Sequence, residues 1–345
     1  MNAIAPMEAK LVEALPDGPG WQFEPKWDGF RCIAVREGER VELISKAGKP
    51  LGRYFPEVVA LLGALTAERF MLDGELIIPV GDHLSFGALQ LRLHPAESRI
   101  RKLAAQTPAQ YMLFDLLALE GQELASEPLS ARRQVLERFH AHHGSSALLL
   151  SPAVTDRAQA AAWLASAGET LDGVVAKRLH EPYRAGERAM MKVKQIRSAD
   201  CVVAGFRYAS GKPEVGSLLL GLFDDEGRLD HVGFCPPPGD KAELTKRLEA
   251  MIGPPGFTGD APGGPSRWSN ARSAEWQPLR HELVAEVKYD QVTGGRFRHA
   301  TRFLRWRPDK SAEQCRADQL AREAGPAQLD AILGHKRNSD GSSVV

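Results

Sequence analysis

A lysine flanked by carboxylates and an arginine, in the run Glu24-Pro25-Lys26-Trp27-Asp28-Gly29-Phe30-Arg31, is the first place along the chain where residue types could do chemistry. A lysine amine that has lost its proton is a nucleophile, and Gly29 marks a turn that would leave Lys26 at a strand end. Standing alone, such a lysine is more often a salt-bridged turn residue. Four further clusters follow it: Leu72-Asp73-Gly74-Glu75, Phe114-Asp115, Leu171-Asp172-Gly173-Val174-Val175-Ala176-Lys177 and Met191-Lys192-Val193-Lys194. Alternate residues of a strand share a face, so Lys192 and Lys194 point the same way and make a two-ammonium clamp for a phosphate. Asp73 and Glu75 share a face by the same rule. Each cluster has a bland alternative, a solvated edge for Lys-x-Lys and a turn for Asp-Gly-Glu, and their ordered recurrence argues against it.

Such groups need strands to hold them. Residues 30–37, 41–45, 70–79 and 111–119 are short, β-branched or aromatic runs bounded by Gly, Pro or charge, which reads as strands. Helices are expected over 130–143, with Ser130 as N-cap and Leu136 and Phe139 on one face, and over 155–167, opened by Thr155. The first half is therefore α+β. A second series of strands, 201–208, 217–224 and 229–235, precedes a helix at 240–252, an order that suggests a small barrel. Residues 253–265 carry five glycines and four prolines, so they read as a long surface loop before strands resume at 283–289 and 297–306. The expected boundary between the halves is 195–199. A last helix is expected over 311–324, and 334–345 lacks periodicity and reads as a disordered tail.

With 345 residues, 43% hydrophobic and 26% charged, the chain can bury two ordinary cores and is not a fibrous or disordered sequence. Lys+Arg and Asp+Glu both number 44, so any affinity for a polyanion must be local. Two stretches supply it. Residues 176–197 hold seven Lys/Arg against Glu181 and Glu187, and 288–310 hold seven against Asp290 and Asp309, interleaved with Tyr289, Phe297, Phe303 and Trp306. Cys32, Cys201, Cys235 and Cys315 are scattered without a CxxC pair, which argues against a zinc module or a disulfide scaffold. No signal-peptide pattern or membrane-length apolar run is present, so a soluble cytoplasmic protein is expected.

The motifs KWDGFR at 26–31, SKAG at 45–48, LDGEL at 72–76, FDLL at 114–117, DGVVAK at 172–177, KVK at 192–194 and RWRPDK at 305–310 come in one order. Over about residues 6–310 the chain thereby resembles the covalent nucleotidyltransferases, which include ATP-dependent DNA ligases, RNA ligases and mRNA capping enzymes. It is most similar to bacterial ATP-dependent DNA ligases, either stand-alone or as the ligase module of end-joining enzymes. It departs from the pattern twice, with Asp172 where a glutamate is usual and Lys46 where an arginine is common.

The resemblance implies an adenylation (nucleotidyltransferase) domain of antiparallel sheets with flanking helices over 1–195, an OB-fold β-barrel over 196–310, and a helix and tail over 311–345. It implies that Lys26 attacks the α-phosphate of ATP to form lysyl-AMP, which then adenylylates the 5′-phosphate of nicked double-stranded DNA before the 3′-hydroxyl seals the break. Glu24 would meet the purine amine, Phe114 the adenine face, Arg31 and Glu75 the ribose, and Lys177 the α-phosphate or base. Lys46, Lys192 and Lys194 would supply cationic charge to the nucleotide, and Glu75 and Asp172 would hold Mg²⁺ or Mn²⁺. Asp309 and Lys310 would engage the β- and γ-phosphates when the second domain closes, and Arg53, Arg296, Arg298, Arg302, Arg305 and Arg307 would face DNA. A monomer acting in bacterial DNA repair, nucleoid-associated and beside repair or end-joining proteins, completes the expectation. The alternatives are an RNA ligase, a capping-type enzyme, or a non-catalytic nucleic-acid-binding relative.

Overall fold

Strand Phe30–Glu37 is apolar on both faces, with Cys32 and Ala34 in one core and Ile33 and Val35 in another, so it must lie inside a layered structure rather than on a surface. It pairs antiparallel with Arg40–Ser45 and Arg69–Ile77, and the sheet continues through Gln110–Leu119 to Leu148–Leu150. Helices Pro56–Gly63, Phe86–Arg92 and Leu129–His143 cover one face through Val58, Leu62, Leu89, Leu136 and Phe139. A four-stranded sheet, in the order Ala9–Leu11, Met190–Val193, Val174–Arg178, Trp21–Pro25, contributes Met190 to the core on the other side. Both sheets are antiparallel, as expected, apart from one parallel edge strand each, Ala9–Leu11 and Leu148–Leu150. Long connections to each partner make parallel pairing sterically possible.

The chain is seen here as a computed structural model describing residues 3–80, 83–166, 171–194, 197–263, 275–290, 292–298 and 301–320. It divides into two compact units, Met1–Gln195 and Ile196–Arg322. The second is a sheet ordered Leu229–Cys235, Val215–Phe223, Arg197–Tyr208, Val284–Tyr289, Arg302–Trp306 around Val202, Phe206, Leu220 and Val287. Thr301, just before the last strand, donates its amide and hydroxyl to Phe234 O on the first at 3.3 and 3.0 Å, which draws the two outer strands together as in an OB barrel.

Four local expectations are corrected. Ser130 does not cap its helix: the amides of Leu129 and Ser130 donate to Glu181 O and Leu179 O, so tertiary carbonyls do the work of a cap. Asp156, not Thr155, accepts the first-turn amide of Ala158 in helix Arg157–Ser166, and residue 167 lies outside the described residues. The single strand expected at 297–306 is two, because Arg296–Phe297 turns back on Val292–Thr293 through Gly294 and Gly295, both at positive φ. The helix expected at 311–324 is replaced by 3₁₀ turns Ala312–Gln314 and Ala317–Gln319. Between them Cys315 and Arg316 are drawn alongside Phe223, whose amide donates to Cys315 O at 2.8 Å, and a backbone held extended there cannot continue a helix. Residues 321–345, including the expected tail, lie outside the described residues.

His231, 5% exposed in the second unit, accepts a hydrogen bond from Arg296 and is pushed down to about 3 by burial, then by the charges of Arg296 and Arg207. The folded state therefore holds a neutral imidazole that the unfolded chain can protonate. Its stability contribution is present above about pH 6.5 and is lost as pH falls toward 3. Between pH 6.5 and 5 the loss should approach about 2 kcal/mol. His231→Gln should flatten that part of the pH dependence in denaturant unfolding, and an unchanged slope would show that His231 contributes none of it.

Candidate active site

Lys26 follows strand Trp21–Pro25, which runs antiparallel to Val174–Arg178 with Val175 opposite Glu24 and Val174 opposite Pro25. The ladder continues one step past both strands: the Lys26 amide donates to Gly173 O and the Asp172 amide donates to Lys26 O, both at 2.9 Å. A reciprocal backbone pair thus fixes Lys26 beside Asp172, and the Lys26 ammonium pairs with Asp172 Oδ2. Gly173 has φ 139°, and a Cβ there would lie 2.1 Å from Val193 O, so only glycine lets this corner close. Val193 leads to Lys194, whose Nζ lies 3.0 Å from Asp172 Oδ1. That oxygen is buried and has no hydrogen bond of good geometry. Trp27 anchors the turn from behind by donating to Ser151 Oγ at 2.9 Å.

Lys26 opens into a cavity of about 920 Å³ contained in the first unit. Glu24, Lys177 and Phe114 line one part of it; Lys177 donates to Glu24 at 2.8 Å, and its Nζ is 4.9 Å from the centre of the Phe114 ring. Gln22 donates to the other Glu24 oxygen at 2.7 Å, so this carboxylate is held on both sides. Arg31 lies 4.4 Å from the Phe114 ring centre and forks onto buried Asp73 at 2.6 and 2.5 Å. Of the two carboxylates expected on one face, Asp73 lies under Arg31 and Glu75 is in the cavity wall.

Glu75 is pushed up to about 7, first by removal from water, with Asp28 and Asp73 adding to the effect and Lys26 and Arg31 opposing it. Lys192 is lowered by desolvation and then by Lys26, Lys194 and Lys46, the expected electrostatic cost of gathering ammonium groups. Lys46 also lines the cavity and pairs with Glu8 at 3.2 Å, and Arg53 lines it while donating to Pro95 O at 3.0 Å. The structure thus gathers Glu24, Lys26, Arg31, Lys46, Glu75, Phe114, Lys177 and Lys192 around one space, with Asp172 and Lys194 ion-paired at its Lys26 end.

Residues 5–194 match the family model for the ATP dependent DNA ligase domain, and residues 211–310 match that for the ATP dependent DNA ligase C terminal region. This chain belongs to the ATP-dependent DNA ligases. The ligase is 44% identical over 335 residues to DNA ligase C2 of Mycolicibacterium smegmatis, covering 92% of this chain and 94% of that one. It is 42% identical over 353 residues to DNA ligase C of Mycobacterium tuberculosis, covering 97% and 98%. A solved structure from work on Lig E DNA ligases shares the fold, with a TM-score of 0.54 at 14% identity, covering 88% of this chain and all of that one.

In the ligase's second unit, the RWRPDK segment is tied into carboxylates. Arg307 Nη1 donates to both oxygens of Asp200 at 2.9 and 3.0 Å while its other nitrogens hold Asp309, and Lys310 donates to Asp200 at 2.7 Å. Arg305 donates to Glu286 at 2.7 Å. Of the arginines expected to face DNA, Arg305 and Arg307 have their charge balanced locally; Arg296, Arg302 and Arg305 are exposed, and Arg298 and Arg307 are half-buried. Phe303 and Trp306 pack inward, edge to face with ring centres 4.9 Å apart.

Among the described residues no cluster of three or more His, Cys, Asp or Glu is arranged to hold a metal ion. The donor set still fits Mg²⁺ or Mn²⁺, which take one or two carboxylates and complete their shell with water and substrate phosphate oxygens. Glu75 in the wall and Asp172 Oδ1, which accepts no hydrogen bond of good geometry, are suitable hard donors. Sequence reasoning missed Asp200, Gln22 and Tyr183, which stand outside the motifs; their partners are recognisable only after folding.

Proposed function

We propose that this ligase seals 5′-phosphate/3′-hydroxyl nicks in duplex DNA with Lys26 as the nucleophile. The observation that carries the reading is the Lys26–Asp172 pair, clamped through the backbone at the wall of a cavity that also presents Lys177, Glu24 and Phe114. An ammonium has no lone pair, so the ion pair must part and the amine must lose a proton before attack. Lys26 Nζ then bonds to the α-phosphorus of ATP as the bond to pyrophosphate breaks. An oxygen of the DNA 5′-phosphate next attacks that phosphorus, the nitrogen–phosphorus bond breaks, and Lys26 recovers its proton. Finally the 3′-hydroxyl attacks the 5′-phosphate and AMP leaves.

Phe114 and Glu24 bind the base, Arg31 and Glu75 the ribose, and Lys177, Lys192 and Lys194 the phosphates, with Lys46 adding charge. A divalent ion held by Glu75, Asp172 and phosphate oxygens would supply electrostatic relief to the triphosphate. Asp309 and Lys310 bind the departing pyrophosphate, and Arg53, Arg296, Arg298 and Arg302 hold DNA. The proposed setting is a monomer in bacterial break repair, cytoplasmic and nucleoid-associated, beside end-joining proteins. Consistent with this setting, no helix among the described residues is long and apolar enough to cross a membrane.

Labelled ATP should mark the protein covalently, labelled GTP should not, and nicked DNA should be sealed in preference to nicked RNA. A GTP adduct with no sealing would turn the reading toward capping chemistry. Asp309→Ala/Lys310→Ala should slow self-adenylylation by about tenfold, in line with losing charged contacts to a leaving group, and should still seal a nick supplied already adenylylated. Wild-type adenylylation with failed sealing of that nick would reverse the assignment of these two residues.

A further inference from the structure

Behind the cavity, Tyr183 is a buried phenol, 7% exposed, that takes no part in the steps above. Its hydroxyl donates to Asp73 Oδ2 at 2.6 Å and accepts the amide of Met7 at 2.8 Å. Asp73 receives the Arg31 fork on both oxygens, and Arg31 Nη2 also reaches Met7 O at 3.4 Å. These contacts close a ring from Tyr183 through Asp73, Arg31 and Met7 back to Tyr183. Two members, Arg31 and Met7, line the cavity.

The phenol is itself firmly placed. The Tyr183 amide donates to Ala125 O at 2.8 Å, and its ring centre lies 5.7 Å from the guanidinium carbon of Arg132. Arg132 in turn forks onto Asp115, the neighbour of Phe114, at 2.8 Å on both oxygens. Burial and the Asp73 charge push the Tyr183 hydroxyl well above its ordinary range, so it remains a donor at any working pH.

We infer that Tyr183 is a positioning residue for nucleotide binding, its hydroxyl aiming Arg31 through Asp73, and the Met7 wall through the Met7 amide, at the sugar of ATP. The inference rests on the cavity being the ATP site with Arg31 at the ribose. A single hydroxyl suits this task because it satisfies a buried carboxylate oxygen and a buried amide at once, and removing it leaves both short of a partner. Phenylalanine keeps the ring and its place over Arg132, so Tyr183→Phe isolates the hydroxyl.

The test is single-turnover adenylylation of Lys26 over a range of ATP concentrations. Tyr183→Phe should raise the half-saturating ATP concentration roughly five- to tenfold, while the maximal rate stays within about twofold. With 2′,3′-dideoxy-ATP, which lacks the ribose hydroxyls, wild type and Tyr183→Phe should converge. Arg31→Lys, which leaves Asp73 a cation but no fork, should raise the same constant, and adding Tyr183→Phe to it should cost little more. If Arg31→Lys weakens ATP binding and Tyr183→Phe does not, the inference falls while the ATP site stands. Effects that multiply in the double variant, or a Tyr183→Phe defect seen only in melting temperature, would also overturn it. If Arg31→Lys leaves ATP binding unchanged, the ribose assignment fails first and the inference with it.

Discussion

Lys26→Ala should abolish covalent transfer of AMP from ATP, by more than about a thousandfold, because the reaction needs an amine held at one fixed point. Three of the neighbouring lysines are committed elsewhere: Lys194 to Asp172, Lys177 to Glu24 and Lys46 to Glu8. The variant should remain folded. Lys26 is a quarter exposed, and Asp172 keeps Lys194, so the lost ion pair is worth about 1 kcal/mol or less. Lys26→Arg gives the sharper control: a guanidinium can keep the pair with Asp172 but does not give up its proton, so it too should take no AMP. Intact-mass and peptide mass spectrometry of wild type incubated with ATP would decide the matter. An adduct on any other lysine sinks the assignment.

Asp172→Asn should slow adenylylation on the order of a hundredfold, the scale of a misplaced reacting group. Two effects compete. Loss of the carboxylate removes a counter-charge that retains the Lys26 proton, which helps attack; it also removes the group that aims Lys26 and Lys194 and the donor proposed for a divalent ion. Aim and charge relief should dominate, because Asp172 is almost fully buried and serves two ammonium groups at once. Asp172→Glu should retain substantial activity, since it keeps the charge and must absorb only one extra methylene. Full activity of the Asn variant across a Mg²⁺ titration would reduce Asp172 to a turn residue.

Strands 30–37 and 229–235 were legible from sequence because β-branched and aromatic residues ended in turn signals, and the structure places them at the same bounds. The residues expected to react with or bind the nucleotide were legible as a group, and eight of them line one cavity. Other features depended on partners far along the chain. Ser130 looked like a cap, but the carbonyls of Leu179 and Glu181, some fifty residues away, satisfy that helix start. The helix expected after Ser311 lost its backbone to Phe223. Arg305 and Arg307 counted as positive charge in a local window, yet Glu286 and Asp200 neutralise them from another strand. Tyr183 sits in a stretch without periodicity, and only folding reveals that its hydroxyl meets both Asp73 and Met7.

The three-residue strand Ala9–Leu11 is short, but it lies along the outer side of Met190–Val193, the strand that carries Lys192. Without it the four-stranded sheet would end in a bare row of amides and carbonyls, a template on which another copy could pair. Ala9 and the residues just before it, Met7 and Glu8, furnish one side of the cavity. Trimming or proteolytic nicking before Val12 would therefore cause two failures together, self-association through the uncovered sheet and loss of nucleotide binding.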